Sequence, residues 1–480
     1  MSRPDQLAAA AVPHARRLAR QAERHAREAL PAEVREKLKI CILDFLACAF
    51  EAADLPWSRQ ALSTVVATSP GASIVGAPLK ATSADAAFVN AVLGHGLVRE
   101  DMHVASISHH GVVVWPVLLA VAQLAPIRGE QLLKAAALGY QAGARLGRAL
   151  FTPELARLFR PTGIVAPVGA ALAGSHALRL TEDGSVAAMA VAANTSSGLN
   201  QWPHTGGSEM YFHPGFAARN AVTAVQLARA GAFASEDILE GEAGLFNAFR
   251  RGPAPPSLDL FADGHWEVLS VYNKPAPACN FAQTACQASL RVSQELDDAS
   301  GVAAITVHLP QQAIQYPGCD FQGPFQRALQ AKMSIQFGVA ATLARGAVAE
   351  GNYRDLGDPS IVRLARLIRL VADREFTARF PAAQGAEVEV TLSDGTRISR
   401  RMDDVVPATE GEVRARFRDA AGAALGRRRA NEIEAFVDSL DSAQDAGRLA
   451  LLTGKRLARR GATRLRHDTS VAPVTDLACR

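Results

Sequence analysis

Apolar residues recur at helical spacing through the first half of the chain. The clearest run follows the i, i+3, i+4 rule of a helix that buries one stripe: Leu38, Cys41, Ile42, Phe45, Leu46 and Ala49. Segments rich in Ala, Leu and Val continue the pattern, with little of the alternation that strands show. The predicted helices lie at about 13–36, 83–98, 112–125, 130–149, 164–178, 184–199 and 214–230. We therefore expect helix-on-helix packing, with small residues permitting close approach.

The composition of the chain changes after Arg250, where the proline-rich stretch 251–260 predicts a linker. Beyond the linker, segments with helical periodicity alternate with segments with strand periodicity. The pattern predicts a strand at 301–310, helices near 327–346 and 360–371, and alternating runs within 386–402. Asp394-Gly395 between those runs predicts a hairpin, because the turn needs positive φ. From about Thr409 to Leu452 the pattern is helical again. The predicted fold is mainly α, with an inserted α+β segment.

Length and composition limit the number of domains and the class of protein. At 480 residues the chain exceeds what one core usually fills, and a 49% hydrophobic, 20% charged composition is typical of globular proteins. The net charge of +4 is concentrated in residues 455–480, which carry seven Lys or Arg and two Asp or Glu. A near-neutral body argues against nucleic-acid binding. The longest apolar stretch is too short to span a membrane and contains Pro116, so we expect a soluble cytoplasmic protein.

The six cysteines do not form a disulfide or metal framework in the sequence. No C-x-x-C pair occurs, and Cys41/Cys48 and Cys279/Cys286 are each seven residues apart, which is the spacing of a core-facing helix. The cysteines are therefore expected to be buried and reduced.

Candidate chemistry is concentrated between Gly94 and Gln123. Five acid–base or polar groups lie within sixteen residues there, namely His95, Asp101, His103, His109 and His110. An apolar segment follows directly, so the pattern predicts a functional loop held by a rigid element. Two further loops, at 159–163 and 200–215, precede predicted helices whose starts Pro161 and Pro214 mark. Helix N-termini attract anions, so both loops are candidate carboxylate sites.

Several classes of chemistry lack support. The sequence contains no Walker A motif, no strand-coupled G-x-G-x-x-G and no G-x-S-x-G, and H-x5-H-H is not a recurrent metal-ligand spacing. Lys274 could form a Schiff base, but no other feature indicates pyridoxal phosphate. Acid–base chemistry remains: a histidine beside a cationic pocket suits proton transfer next to a carboxylate. For any single histidine a structural role is an equal alternative.

Seven motifs, taken in order, resemble the MmgE/PrpD superfamily over roughly residues 30 to 450. They are AFVNAVLGHGLVREDMH, SHHGVVVWPVLLAVAQ, GYQAGARLG, RPTG, HPGFAARNAVTAVQLARAG, ILEGEAGLFNAF and NKPAPACNFAQTA. That superfamily includes 2-methylcitrate dehydratase, cis-aconitate decarboxylase and iminodisuccinate epimerase. The resemblance implies a homodimer with a cofactor-free site in a cleft. It also implies a helical domain from residues 1–265 and 406–456, an α+β lid from 266–405, and a basic tail at 457–480.

The resemblance also suggests site residues. The candidate catalytic residues are His109, Lys274, His103 and Asp101. The candidate substrate-binding residues are Arg160, Thr162, Gln283, Met210, Phe337 and His213. No metal ligand is predicted.

Five polar positions depart from the superfamily's pattern, and they limit the functional hypothesis. The replacing residues are Val98 for an aspartate, Arg160 for a histidine, Met210 for a lysine, Gln283 for a histidine and Phe337 for a tyrosine. We therefore expect a lyase or isomerase whose reaction includes proton transfer next to a carboxylate group. The reaction would be dehydration, decarboxylation or epimerisation. Its substrate is expected to be less polar than 2-methylcitrate, with little or no activity on the three family substrates. The alternative is a member without catalysis that serves as a binding or assembly subunit.

Overall fold

The computed structural model describes residues 12–455, so the predicted basic tail lies outside the described residues. The fold is mainly α, as predicted. The helices of the first half are α1 (His14–Ala26), α2 (Ala32–Glu51), α3 (Pro56–Ser63), α4 (Ser83–His95), α5 (Gly111–Val121), α6 (Gly129–Leu150), α7 (Pro153–Leu158), α8 (Pro161–Ala177), α9 (Glu182–Asn194), α10 (Trp202–Thr205), α11 (Glu209–Arg229) and α12 (Leu245–Arg250). Those of the second half are α13 (Gln283–Ser293), α14 (Gln311–Gln315), α15 (Ala328–Met333), α16 (Ile335–Arg345), α17 (Pro359–Leu367), α18 (Arg374–Arg379), α19 (Glu410–Leu425), α20 (Arg427–Asp438) and α21 (Gly447–Thr453).

Eight short strands form three small sheets within residues 12–455. They are β1 (Ala72–Ser73), β2 (Lys80–Ala81), β3 (Met102–His103), β4 (Val271–Tyr272), β5 (Val302–Leu309), β6 (Ile368–Ala372), β7 (Ala386–Leu392) and β8 (Arg397–Met402). The largest sheet has the order β6-β5-β7-β8, with β5 and β6 parallel and the other pairs antiparallel. The predicted hairpin is its β7–β8 pair, and Gly395 takes the positive φ of 87° that the turn requires.

The helical core is built around α5, which is buried along its whole length, including Pro116. A helix that is apolar on every side belongs in the interior, and α4, α6, α8 and α11 surround it. α6 and α8 approach through glycines: a Cβ placed on Gly169 would lie 2.5 Å from the carbonyl oxygen of Gly139. Within residues 12–455, no helix is long and apolar enough to cross a bilayer.

The end of the described chain packs against its beginning. α19 lies along α2, and Lys39 Nζ donates a 2.8 Å hydrogen bond to the carbonyl oxygen of Asp438. The mixed segment between them packs α13, α16 and α17 against the β5-containing sheet. The boundaries at 265 and 406 stay a prediction.

Several predicted element bounds are wrong. The helix predicted at 13–36 is divided between α1 and α2, which residues 27–31 separate. Pro214 lies inside α11, which begins five residues earlier because buried Met210 and Tyr211 anchor an extra turn. The helix predicted at 360–371 ends at Leu367, and the next residues pair with β5 as an edge strand. The helix predicted at 327–346 divides at Ser334, whose hydroxyl caps α16 by accepting from the Phe337 N–H.

Candidate active site

A cavity of about 360 Å³ lies between the helical core and the mixed segment. Its polar lining includes His109 from the histidine-rich loop, Arg160 from the start of α8, and Lys274 and Cys279 from the loop after β4. The β3–β4 ladder, in which Met102 pairs with Tyr272, fixes these two loops beside each other. The short ladder therefore brings together residues far apart in sequence.

Three neighbours hold His109, one through its backbone and two through its ring. Its backbone N–H donates to Thr162 Oγ1 at 3.1 Å, and Nδ1 lies 2.8 Å from the Asp101 carbonyl oxygen and 3.1 Å from Glu100 Oε1. Both partners of Nδ1 are acceptors, so Nδ1 carries the proton and Nε2 keeps its lone pair. Burial lowers the pKa of His109 to about 3, against the opposing effect of Glu100. The ring is therefore neutral near pH 7.

A buried relay connects His109 to Arg160. Arg160 Nη2 donates to His95 Nε2 at 3.3 Å, and His95 Nδ1 donates to Glu100 Oε1 at 2.6 Å. Burial alone would raise the pKa of Glu100, but the neighbouring histidines and Lys274 hold it well below its usual range. Glu100 is therefore an ionised carboxylate to which both histidine rings donate.

Neither the Arg160 guanidinium nor the Lys274 amino group forms an ion pair with a carboxylate within residues 12–455; their partners are His95 Nε2 and the Val98 carbonyl oxygen. Lys274 is fully buried and donates to the Val98 carbonyl oxygen, and burial lowers the pKa of its ammonium group. The Arg160 guanidinium lies 5.1 Å from the Trp202 ring centroid, and its Nε has no hydrogen-bond partner. Buried cations require anionic partners, so the cavity suits a carboxylate ligand.

Val98 carries backbone strain at this site. Its φ of 59° is in the left-handed region, which a β-branched residue rarely adopts, and its side chain lines the cavity. The strained conformation directs the Val98 carbonyl oxygen to Lys274 Nζ. Val98 thus positions Lys274 through its backbone carbonyl oxygen.

Three other predicted residues support the site from outside the cavity lining. Thr162 and the Asp101 backbone hold His109, while the Asp101 carboxyl accepts from the Tyr140 hydroxyl at 2.5 Å. Burial raises the pKa of Asp101 to about 7. Gln283 is bonded to the backbone of Ala276, Ala278 and Cys279, so it braces the loop that presents Lys274.

The remaining predicted residues have different positions. Met210 lines the cavity, with its sulfur 2.8 Å from His95 Nε2. His103 lies outside the lining, where Nε2 donates to Glu267 Oε2 at 2.8 Å. Phe337 is fully buried between Phe325 and Tyr353, away from the cavity. His213 is not part of the cavity lining but lies near Arg160. Burial and the charge of Arg160 lower the pKa of His213 to about 3.

The predicted set of catalytic and substrate-binding residues left out four contributors, namely Glu100, His95, Cys279 and Tyr316. Glu100 and His95 belonged to the predicted loop, but spacing alone gave no sign that they would pair. Cys279 stands within the NKPAPACN motif and was expected only to fill the core. Tyr316 had no local signal, because its place in the lining depends on tertiary packing.

Known proteins match this chain over most of its length. The sequence profile of the MmgE/PrpD N-terminal domain matches residues 16–257, and that of the MmgE/PrpD C-terminal domain matches residues 276–442. The cis-aconitate decarboxylase of Aspergillus terreus (strain NIH 2624 / FGSC A1156) is 25% identical over 446 residues, covering 87% of this chain and 91% of the relative. The Mus musculus cis-aconitate decarboxylase is 25% identical over 386 residues, covering 76% and 78% respectively. The corresponding figures for the Homo sapiens cis-aconitate decarboxylase are 25% over 384 residues, with 76% and 78% coverage. The two domain matches cover most of the chain, and the protein belongs to the MmgE/PrpD family.

Proposed function

We propose that this protein is a lyase that decarboxylates a small unsaturated carboxylic acid without a cofactor. The observation that carries the proposal is that neutral His109 lines one cavity together with Arg160 and Lys274, two basic side chains that have no carboxylate partner within residues 12–455. The relatives named cis-aconitate decarboxylase support the reaction class. A decarboxylase needs anion binding and a proton source, and these three residues provide both.

The cations bind the substrate's acid groups. Arg160 offers a planar guanidinium with an unpartnered Nε, and Lys274 offers ammonium protons beyond the one donated to Val98. A carboxylate placed between them lies beside His109. The binding energy fixes the scissile C–C bond relative to the imidazole ring.

His109 supplies the proton that replaces carbon dioxide. Binding of an anion favours the imidazolium form, which Glu100 also stabilises through Nδ1, so the ring takes up a proton with the substrate. The C–C bond to the carboxylate then breaks, and its electron pair passes through the adjacent double bond to a carbon. Nε2 delivers its proton there, carbon dioxide leaves, and one proton is consumed per turnover.

An aromatic wall favours a less polar substrate than a tricarboxylate. The rings of Phe281, Tyr316 and Phe380 pack together, with centroids 5.4 and 5.6 Å apart for the two contacts, and all three line the cavity. Met210 and Val98 add apolar surface where the superfamily pattern has charged groups. We infer one or two acid groups at the cations and a hydrocarbon portion against the aromatic wall.

The alternative is a binding subunit without catalysis. Its support is the position of Phe337, which is packed among aromatic side chains and offers no phenol to a ligand. Tight binding of unsaturated acids without turnover would favour this alternative.

The homodimer also remains part of the proposal, and the exposed apolar side chains Phe216, Leu227 and Phe233 on and after α11 support it. Sedimentation of a monomer at micromolar concentration would exclude the dimer.

Carbon dioxide release tests the function directly. The purified full chain would be assayed on cis-aconitate, 2-methylcitrate, iminodisuccinate and a panel of unsaturated mono- and dicarboxylic acids with apolar substituents. We expect turnover on a panel member and little on the three family substrates. His109→Asn should lose it, whereas His204→Asn, at an exposed histidine, should not. Release of water or epimerisation without carbon dioxide from every active substrate would overturn the proposal.

A further inference from the structure

Two cysteines face each other at the edge of the cavity. Cys279 and Cys319 have their sulfur atoms 3.7 Å apart. Cys279 lines the cavity and is 6% exposed, whereas Cys319 is fully buried behind it. Among residues 12–455 all five cysteines are free. The proposed chemistry does not use either thiol.

The two thiols differ in acidity in a way that suits stepwise oxidation. A hydrogen bond from Cys319 lowers the pKa of Cys279 to about 7, and the Phe281 backbone and the charge of Lys274 add to this effect. Burial raises the pKa of Cys319 well above its usual range. A thiolate open to small molecules therefore stands next to a protonated, shielded thiol, which is the arrangement of an attacking and a resolving cysteine.

We propose that Cys279 and Cys319 are a redox-reactive thiol pair that small hydroperoxides oxidise to a reversible disulfide. In the first step the Cys279 thiolate attacks the hydroperoxide, the O–O bond breaks, and a sulfenic acid forms with loss of water or an alcohol. In the second step Cys319 attacks the sulfenic sulfur, the S–O bond breaks, and water leaves. Two electrons pass from the thiols to the hydroperoxide, and a small dithiol reverses the change.

The disulfide would alter the cavity. A disulfide requires sulfur atoms about 2.05 Å apart, so the pair must close by roughly 1.7 Å. Cys319 follows α14 and Tyr316, which line the cavity, and Cys279 ends the loop that begins at Lys274. Closing the gap draws these two walls together, so oxidation is expected to narrow the site.

Mass spectrometry of the native full chain tests the proposal. Reduced protein would be treated with hydrogen peroxide, its remaining thiols alkylated, and the digest searched for linked peptides. We expect a Cys279–Cys319 link that dithiothreitol removes. Cys319→Ala should instead accumulate sulfenic acid at Cys279, which dimedone traps. Cys286→Ala removes another buried thiol nearby, whose pKa burial raises to about 12, and should still form the link.

Two results would overturn the inference. One is peroxide consumption with no Cys279–Cys319 link in the folded protein, and the other is a link that appears only in urea. These readouts need no substrate, so they fail or succeed independently of the proposed decarboxylation. Where turnover is available, oxidation should lower kcat/KM at least tenfold, with full recovery after reduction.

Discussion

Among single side chains, His109 has the orientation that a proton-transfer group needs. Its Nδ1 proton is held by the Asp101 carbonyl oxygen and the Glu100 carboxylate. An asparagine can keep one of those donor contacts, but it has no counterpart of Nε2. The two functions of the ring, packing and proton transfer, can therefore be separated by substitution.

His109→Asn is expected to lower kcat by about 10²- to 10⁴-fold, because it removes the positioned acid–base group. The unfolding free energy should fall by no more than about 1–2 kcal/mol. Carbon dioxide release and urea unfolding would be measured on the same preparations. Activity within twofold of the parent would mean that His109 is structural.

The pH profile should show the proton uptake. His109 is neutral in the free protein, with a pKa of about 3, and is required as imidazolium in the complex. Consequently kcat/KM should fall about tenfold per pH unit from pH 6.5 to 8.5. Glu100→Gln weakens the stabilisation of the imidazolium ion and should lower kcat at every pH. A flat or rising profile in the parent would indicate that His109 works as a base instead.

The sequence predicted His109, Arg160 and Lys274 as site residues, and the structure brings all three to one cavity. These residues stand in motifs whose order along the chain is informative. The role of Glu100 could not be predicted, because it depends on a bend that brings His95 and His109 to the same carboxylate. Gln283 was predicted to bind substrate but instead braces a loop, since its partners are backbone atoms.

Between elements, Lys332 connects the mixed segment to the histidine-rich loop. This fully buried lysine at the end of α15 donates to the carbonyl oxygens of Leu97 and Pro277, and to Glu350 at 2.5 Å. Leu97 precedes Val98, and Pro277 lies between Lys274 and Cys279. One ammonium group thus holds both backbone segments that position Lys274.

Lys332→Met combined with Glu350→Gln is expected to raise KM about tenfold or more while the protein remains folded, because the two segments lose their common donor. The double substitution avoids leaving a buried carboxylate unpaired. Lys39→Met is the matched control, since Lys39 is also buried but bonds to Asp438 and Asp441 far from the cavity. It should lower stability without changing KM. Equal effects of both changes on KM would contradict a positioning role.

The close crossing of α6 and α8 provides a test of packing. Gly169→Ala places a methyl group 2.5 Å from the Gly139 carbonyl oxygen and 2.8 Å from the Gly143 nitrogen. We expect a loss of about 1–3 kcal/mol in the free energy of unfolding. Gly422→Ala in α19 meets only the distant Arg427 side chain, so it should be neutral or stabilising by up to about 1 kcal/mol. Urea unfolding of both variants separates these outcomes.

Helix positions followed well from apolar periodicity, because stripes such as that of Leu38 and Ile42 are buried as predicted. Pairings between strands far apart in sequence could not be predicted from this periodicity. The two-residue strands β3 and β4 have no sequence signal of their own, since their register depends on the packing around Met102 and Tyr272. The functional loop and the motif that contains Lys274 were therefore predictable, but the strand pairing that joins them was not.

For the protein as a unit, acid should destabilise the fold through buried histidines. Burial lowers the pKa of five of them below the ordinary value, namely His95, His109, His110, His176 and His213. The unfolded chain then binds more protons below pH 6.5, so stability is lost as the pH falls from 6.5 toward the lowered values. Burial also raises the pKa values of Asp44, Asp101 and Glu350, and proton uptake by these carboxyl groups in the folded protein opposes the effect of the histidines.

We expect the free energy of unfolding to fall between pH 6.5 and 4.5 by about 1.4 kcal/mol per pH unit for each proton taken up, with a net uptake of two or more. Urea midpoints at several pH values would measure it. His213→Asn should make the slope shallower by about one proton, and Asp101→Asn should make it steeper. Stability that is constant or rises on acidification would contradict the proposed neutral histidines.

The contact between α2 and the closing helices has a consequence for synthesis in the cell. Lys39 and the carbonyl oxygen it binds are separated by 399 residues along the chain. A ribosome must therefore translate the whole mixed segment before α19 exists to cover the apolar face of α2. During that interval the nascent helices expose surface that promotes aggregation, so yield should depend on chaperones and on elongation rate. A message truncated just before α19 should produce an insoluble product.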